Sequence, residues 1–255
     1  LWTDGRYFIQ AAAQLEGTTV ELMKMGEPGV PEMNAYIEEV LKEGETLGFD
    51  GRVVSVGEGE GYAAIAGKKN AKVNYQVDLI DEIWEDRPVL SEEPAFNLDV
   101  KYAGETVASK LARIREEMKE AGTNVHVVST IDDICWTLNI RGNDIDFFPL
   151  VLSYGIITMD SFELYIDERK LDDKLKAKLA KDGVNLHPYN DIYEDVKKFG
   201  SDVVAMIDPG KLNYALFNNI PENVKTVEKR NPAILMKAIK NPVEIENIRK
   251  AQIKD

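Results

Sequence analysis

The turn Asp4-Gly5-Arg6 carries the residue types that are most suggestive of chemistry in this sequence. It joins a short strand-like start of the chain to a helical segment, and α/β folds place ligand-contacting groups where a strand end feeds a helix. The Arg6 guanidinium could hold a carboxylate or a carbonyl oxygen through parallel hydrogen bonds. Asp167 and Arg169 recur at the same spacing, which suits an Asp cap and a packing Arg equally well. The residues alone leave both interpretations of Arg6 open.

Residues suited to bind a transition metal are scarce. The only histidines are His126 and His187, each in its own strand-like segment, and zinc or iron sites usually draw several His or Cys ligands at short spacing. The acidic pairs Asp172-Asp173 and Glu92-Glu93 are typical of solvated faces. The sequence therefore predicts no metal and no other cofactor on this chain.

The one cysteine, Cys135, would form a minimal thiol dyad if His126 acted as its base. It lies between Ile134 and Trp136 on a short apolar helical segment, where a free cysteine behaves as a small hydrophobic residue. The pattern favours a buried structural thiol.

A glycine-rich stretch spans residues 57–61, after a strand-like segment at 52–56 and before a helical segment at 62–66. Gly59, Gly61 and Ala64 fit the G-x-G-x-x-A dinucleotide pattern, which presents backbone N–H groups to a pyrophosphate. Glu58 and Glu60 would put two negative charges beside that anion. An ordinary helix entry, with acidic side chains complementing the helix dipole, is the favoured interpretation.

Composition excludes several classes of protein. The 255 residues are 44% hydrophobic and 30% charged, enough for one large or two medium globular domains. The longest uncharged stretch, residues 147–159, is too short to cross a bilayer. A net charge of -14 argues against nucleic acid as a partner. With a single cysteine and no secretory leader before the first strand, we expect a cytoplasmic protein without membrane contact.

An internal repeat organises the chain. Residues 1–6 are echoed by residues 164–169, and each copy continues as helix, strand, acidic helix and a third strand that ends in Asp, at Asp50 and Asp208. Short apolar strands separated by helices predict mainly parallel pairing. The second copy has extra material ahead of it, including a buried hairpin-like run at 147–166. The sequence therefore predicts two similar α/β units.

Longer motifs resemble a known family. The first unit resembles the first domain of the three-domain Xaa-Pro aminopeptidases (aminopeptidase P), and the second unit resembles their middle domain. The matching stretches are residues 1–12, 22–26 and 81–88 in the first unit, 132–144 and 149–154 in the second, and 240–251 at the tail.

The resemblance implies an α/β fold of two tandem creatinase-N-like domains, each a mixed, mostly parallel sheet flanked by helices. Residues 1–95 would be the first domain, with its N-terminal part missing, and 96–230 the second. Residues 231–255 would be a linker and the first helix of a catalytic domain that lies outside the sequence.

The family removes the N-terminal residue before a proline with two divalent ions, usually manganese, held in that catalytic domain. The resemblance implies that this chain is inactive alone and shapes substrate access and subunit contacts. It assigns Arg6 to substrate binding and puts Asp4, Arg141 and Asp144 at the cleft rim. Its expected partners are peptides with proline in the second position, its own catalytic domain and a second subunit. A free-standing α/β binding or assembly module without catalysis is the alternative.

Overall fold

The computed structural model describes residues 1–254 and divides the chain into two compact units. Unit 1 comprises residues 1–49 and 58–77, and unit 2 comprises residues 50–57 and the chain from residue 78 onward. The predicted domain limits after residues 95 and 230 stay a prediction.

Unit 1 contains short parallel strand pairs. Its elements are β1 (Trp2–Thr3), α1 (Phe8–Leu15), β2 (Met23–Lys24), α2 (Met33–Val40), β3 (Thr46–Gly48), α3 (Val56–Lys68) and β4 (Lys72–Asn74). Strand β1 pairs in parallel with β2, and β3 pairs in parallel with β4, as two separate two-stranded sheets. Leu41, Ile65 and Ala66 form the buried centre of a small core.

The glycine-rich stretch is not a loop. The expected strand at 52–56 is absent because α3 begins at Val56 and runs without a break through Gly59, Gly61 and Ala64. Backbone N–H groups inside a helix bond to carbonyl groups of the preceding turn. The dinucleotide pattern therefore has no phosphate-binding loop. The expected helix is present, with Glu58 in its first turn, but it begins at Val56 rather than at residue 62.

Unit 2 holds the remaining elements. They are β5 (Phe96–Asn97), α4 (Val100–Ala103), α5 (Val107–Glu120), β6 (Val125–Val128), α6 (Ile131–Leu138), β7 (Ile140–Arg141), β8 (Ser153–Thr158), β9 (Phe162–Ile166), α7 (Asp173–Lys181), β10 (Val184–His187), α8 (Ile192–Asp195), β11 (Val204–Ile207), α9 (Tyr214–Phe217), β12 (Lys225–Glu228), α10 (Pro232–Ala238) and α11 (Pro242–Lys254). Single turns of 3₁₀ helix lie at Glu168–Lys170, Tyr189–Asp191 and Val196–Lys198. None of the helices within residues 1–254 has the length and apolar character of a membrane span.

Six strands of unit 2 form one mixed sheet in the order β10-β9-β8-β6-β11-β12. Strand β8 runs antiparallel to β6 and β9, whereas the other neighbours pair in parallel. The predicted hairpin is the β8–β9 pair. Because the other five strands point the same way, their carboxyl ends meet at one edge, which we call the carboxyl edge of the sheet.

Both faces of this sheet are buried. Along β9, Leu164 enters one hydrophobic cluster with helices α5, α6 and α7, and its neighbour Tyr165 enters the other with α8. Side chains alternate between the faces of a strand, so apolar residues on both sides need helices on both sides. Burying each large apolar side chain contributes about 1.5–3 kcal/mol. The α/β class and its mixed, mostly parallel sheet are confirmed.

A buried lysine joins α5 to the end of α6. Lys110 is 1% exposed, and its Nζ donates to the Trp136 carbonyl and to Asn139 Oδ1, both at 2.7 Å. Burial lowers the pKa of Lys110 to about 8. Asn139 ends α6 in a left-handed conformation with φ 52°, so this contact fixes where the helix stops.

Close packing between β8 and β9 makes Gly155→Ala a test of the sheet. A Cβ at Gly155 would lie 2.6 Å from Cζ of Phe162, which is fully buried. We expect Gly155→Ala to lower the free energy of unfolding by about 1–3 kcal/mol in urea titrations, because overpacking strains a dense core.

The matched control is Gly61→Ala in α3, where an added Cβ meets no atom within 4 Å and helix propensity should raise stability by up to about 1 kcal/mol. The double variant Gly155→Ala/Phe162→Leu replaces the ring with a smaller side chain. It should recover part of the stability lost through the added methyl group. Equal changes in the free energy of unfolding for Gly155→Ala and Gly61→Ala would contradict the close packing of β8 against Phe162.

Candidate functional site

The turn after β1 holds an arginine against an aspartate. Asp4 Oδ1 accepts hydrogen bonds from the backbone N–H of Arg6 at 3.0 Å and from its Nε at 2.9 Å, and Asp4 Oδ2 accepts from Nη2 at 2.7 Å. These bonds lower the pKa of Asp4 to about 2 and raise that of Arg6. The carboxylate therefore fixes both the turn and the direction of the guanidinium.

The same Asp-x-Arg geometry recurs in unit 2. Arg169 bonds to Asp167 from its backbone N–H, Nε and Nη2, with nitrogen–oxygen distances of 2.5–3.1 Å. Arg52 bonds to Asp50 in the same way at 2.9–3.1 Å. Each Asp closely follows a strand, β9 or β3. A local origin explains the repetition, because an Asp side chain readily bonds the N–H two residues later.

The surroundings distinguish the three arginines. Arg169 also pairs with Glu92 at 2.5 Å, and Arg52 lies 3.5 Å from Asp78. The Arg6 side chain is 80% exposed, and its one ion pair within residues 1–254 is with Asp4. Its outer N–H groups face solvent, so Arg6 keeps donors available for an incoming carbonyl or carboxylate.

Asp167 and Arg169 border a cavity of about 660 Å³ in unit 2. The segments Val89–Glu92 and Pro188–Asp191 also line it. Cavities of this size accommodate small ligands. The turn from Asp167 to Arg169 therefore borders an open cleft, although Glu92 already pairs with its arginine.

Arg141 and Asp144 lie on the loop between β7 and β8. Arg141 Nη1 donates to the carbonyl groups of Cys135 and Ile140, both at 2.8 Å, and burial lowers its pKa. No hydrogen bond or ion pair between Arg141 and Asp144 occurs in the described part of the chain. Arg141 braces the loop, and a place for it at the rim of a substrate cleft stays a prediction.

Asp144 forms a buried ion pair. Its side chain and that of Lys170 are 1% and 2% exposed, and Lys170 Nζ lies 2.5 Å from Asp144 Oδ2. The same oxygen accepts the Leu152 N–H at 2.7 Å, whereas Oδ1 has no hydrogen-bond partner among residues 1–254. Asp144 therefore fastens the loop to the end of β9. It can influence a cleft through the loop it holds, and its rim role stays a prediction.

Sequence reasoning missed Lys170, Lys110 and Asp133 as buried charged residues. Nothing in local composition marks them, because Lys170 sits in the charged run Asp167–Lys170 and Lys110 on a polar helix. The one available signal was periodicity. Lys110 falls on the face of α5 that carries Val107, Leu111 and Ile114.

The thiol dyad does not form. His126 Nδ1 lies 3.1 Å from the Met206 carbonyl and Nε2 lies 3.3 Å from Asn231 Oδ1, so both ring nitrogens face other partners. Burial, the largest influence, lowers the pKa of His126, against the effect of these oxygens. Cys135 is fully buried, and burial raises its pKa to about 11. Its expected structural role agrees with this placement.

The side chains present do not fit a metal ion. Within residues 1–254, no three His, Cys, Asp or Glu side chains are grouped closely enough to hold one. The acidic pairs have other partners, since Asp172 caps α7 by accepting the Leu175 N–H at 2.7 Å and Glu92 pairs with Arg169.

The fold and sequence define a family. The model of the creatinase/prolidase N-terminal domain matches residues 86–244, and the chain belongs to that family. Among curated relatives, aminopeptidase P2 of Arabidopsis thaliana is 33% identical across all of this chain and 40% of its own length. Xaa-Pro aminopeptidase app-1 of Caenorhabditis elegans is also 33% identical, with 42% of its length covered. The resemblance to aminopeptidase P is confirmed.

A solved structure agrees over nearly the whole chain. X-prolyl aminopeptidase from Caenorhabditis elegans, described as a cytosolic enzyme with a di-nuclear active site, matches 98% of this chain with a TM-score of 0.91 and 32% identity. The match covers 42% of that enzyme. The chain thus spans about two-fifths of the length of the relatives it matches.

The Asp144–Lys170 pair gives a testable stability difference. We expect Lys170→Met to lower the free energy of unfolding by about 3–5 kcal/mol, because it leaves a buried carboxylate without its cation. Asp144→Leu should cost a similar amount. The double variant should cost clearly less than the two single effects together, since neither charge is then buried alone.

Urea unfolding of the four proteins measures this coupling. Lys119→Met is the control, because Lys119 pairs with Glu116 on the surface and should change stability by at most about 1 kcal/mol. Strictly additive losses at positions 144 and 170 would mean that the pair does not hold the loop.

Proposed function

We propose that this chain is the non-catalytic N-terminal region of a Xaa-Pro aminopeptidase, an enzyme that removes the N-terminal residue before a proline. The observation that supports this most strongly is the match across the whole chain to relatives of that name at 33% identity. In this proposal, residues 1–95 and 96–230 are two creatinase-like domains, and residues 231–255 lead into the catalytic domain.

The proposal assigns the metal chemistry to the rest of the enzyme. Two divalent ions, for which we propose manganese, would supply a nucleophilic hydroxide and stabilise the developing oxyanion. The di-nuclear description of the Caenorhabditis elegans enzyme supports two ions. The lack of a metal-binding group within residues 1–254 supports their assignment to another domain.

Arg6 is the residue we propose for substrate binding. A peptide bound near it would offer carbonyl oxygens or a terminal carboxylate, and a guanidinium is charged at every physiological pH. Asp4 fixes the direction of this guanidinium, which lowers the entropy lost when a ligand binds. Asp4 therefore acts as a positioning residue. We also propose that Asp4, Arg141 and Asp144 lie at the rim of the substrate cleft, where Arg141 and Asp144 hold the loop between β7 and β8.

The loop that carries Asp144 also supports a role in assembly. Phe147 is fully exposed with φ 66°, and Phe148 is 62% exposed. Exposed aromatic pairs are typical of protein interaction sites. We propose that they contact the enzyme's own catalytic domain or a second subunit. We also propose a cytoplasmic location, which the cytosolic description of the neighbour supports.

The first test compares this chain with the full-length enzyme. With manganese and an Xaa-Pro peptide, we expect turnover by the full-length enzyme and none by the 255-residue chain, measured as released amino acid. Reproducible metal-dependent cleavage by the chain alone would contradict the proposal. A full-length protein that also lacks turnover would favour the alternative, a binding or assembly module.

The second test is Arg6→Ala in the full-length enzyme. We expect kcat/KM for the peptide to fall about 10- to 100-fold, the equivalent of the 1.5–3 kcal/mol contributed by a hydrogen bond to a charged group. The melting temperature should stay unchanged, because the Arg6 side chain is exposed and bonds only locally.

Arg169→Ala is the matched control, since it removes the same Asp-clamped guanidinium from unit 2. It should leave kcat/KM unchanged. A loss of stability in Arg6→Ala that parallels its loss of activity would instead support a purely structural role for the turn.

A further inference from the structure

A second cavity of unit 2, about 430 Å³, lies at the carboxyl edge of the sheet, apart from the Asp-x-Arg turns. Its walls come from the segments that follow β6, β11 and β12. The chain leaves β6 toward β8 on one side and leaves β11 toward β12 on the other. The cavity therefore occupies a topological switch point, the position at which open α/β sheets bind ligands.

Asn231 fixes the inner end of this site. It is 4% exposed, its backbone N–H donates to Asp208 Oδ2 at 2.9 Å, and its Nδ2 donates to Asp133 Oδ2 at 2.9 Å. Through its backbone and its side chain, this one residue ties together the segments that follow three neighbouring parallel strands. A site built on such a network is rigid before any ligand arrives.

Two cations of the cavity have no counter-ion. Lys211 follows β11 and Arg230 follows β12, and both line the cavity. Their side chains take part in no hydrogen bond or ion pair with any residue from 1 to 254. Both side chains are solvent-exposed, and in a protein with a net charge of -14 positive charge on the lining of a concave site attracts an anionic group.

The carboxylates of the cavity are held differently. The Asp133 side chain is 2% exposed and is bonded by Thr130 Oγ1 at 2.6 Å and by Lys237 Nζ at 2.7 Å, besides Asn231. Asp132 shares Lys237 and is about half exposed. With Asp208, three carboxylates and three cations line the cavity, so its formal charges cancel.

A lining of this kind selects among ligands by charge. A dianion such as inorganic phosphate would gain Lys211 and Arg230 but would face three carboxylates nearby, and like charges repel. A molecule with one positive and one negative group meets an opposite charge at each end. Ile234 adds an apolar wall, which suits an aliphatic side chain.

We propose that this cavity binds a free amino acid with an aliphatic side chain as its zwitterion. The α-carboxylate lies between Lys211 and Arg230, and the α-ammonium faces Asp132 and Asp208. This site is separate from Arg6 and does not depend on the peptidase function, so either proposal can fail without the other.

Isothermal titration calorimetry of the 255-residue chain with L-leucine tests the site. The chain is suitable because the six-stranded sheet and both clusters that cover it lie within it. We expect saturable binding of L-leucine. N-acetyl-L-leucine lacks the positive end and L-leucinamide lacks the negative end. We expect each to bind at least about tenfold more weakly than L-leucine.

Arg230→Gln and Lys211→Gln should each weaken L-leucine binding about tenfold without changing the melting temperature, because neither side chain has a partner to lose. Arg249→Gln is the control, since Arg249 is an exposed arginine on α11 outside the cavity. Absence of L-leucine binding, binding that the two cavity variants leave unchanged, or tighter binding of inorganic phosphate would overturn the proposal.

Discussion

Burial of the central sheet on both faces is the constraint on which the rest of unit 2 depends. Strand β6 reads Val-His-Val-Val and all four residues are buried, so its faces leave no room for ligand-binding polar groups. Apart from Glu163 in β9, most charged side chains near the sheet lie at the ends of the strands, where the backbone must also turn. The turn from Asp167 to Arg169, the buried Asp144–Lys170 pair and the switch-point cavity all lie at such ends or on the loops next to them.

The aspartate that closes a strand does two things at once. Its carboxylate accepts the backbone N–H two residues later, after the strand has ended. In three turns it also holds a guanidinium. A structural need alone accounts for the repeat. The three arginines differ in what else surrounds them. Arg169 pairs with Glu92, which suits a packing role, whereas Arg6 faces solvent, which suits the proposed role in binding.

Periodicity and spacing predicted most of the fold. The repeat of strand, helix, strand, helix and strand appears in both units. In both copies the first two strands of the repeat pair in parallel, β1 with β2 and β9 with β10. The Val content of residues 52–56 predicts a strand, whereas the turn from Asp50 to Arg52 and the start of α3 at Val56 leave no strand there. The buried charges at Lys170 and Asp133 could not be predicted, because their partners at Asp144 and Lys237 are distant in sequence. The roles of Arg6 and Arg141 depend on surfaces that local sequence does not describe.

Chemical labelling of Cys135 can report how often the core of unit 2 opens. The thiol is fully buried at the centre of unit 2, its Sγ accepts the Val151 N–H at 3.4 Å, and burial raises its pKa. An alkylating reagent needs an accessible thiolate, so labelling requires conformations in which the core around Cys135 has opened. Since the chain has a single cysteine, the rate of its modification directly measures how often that part of the core comes apart.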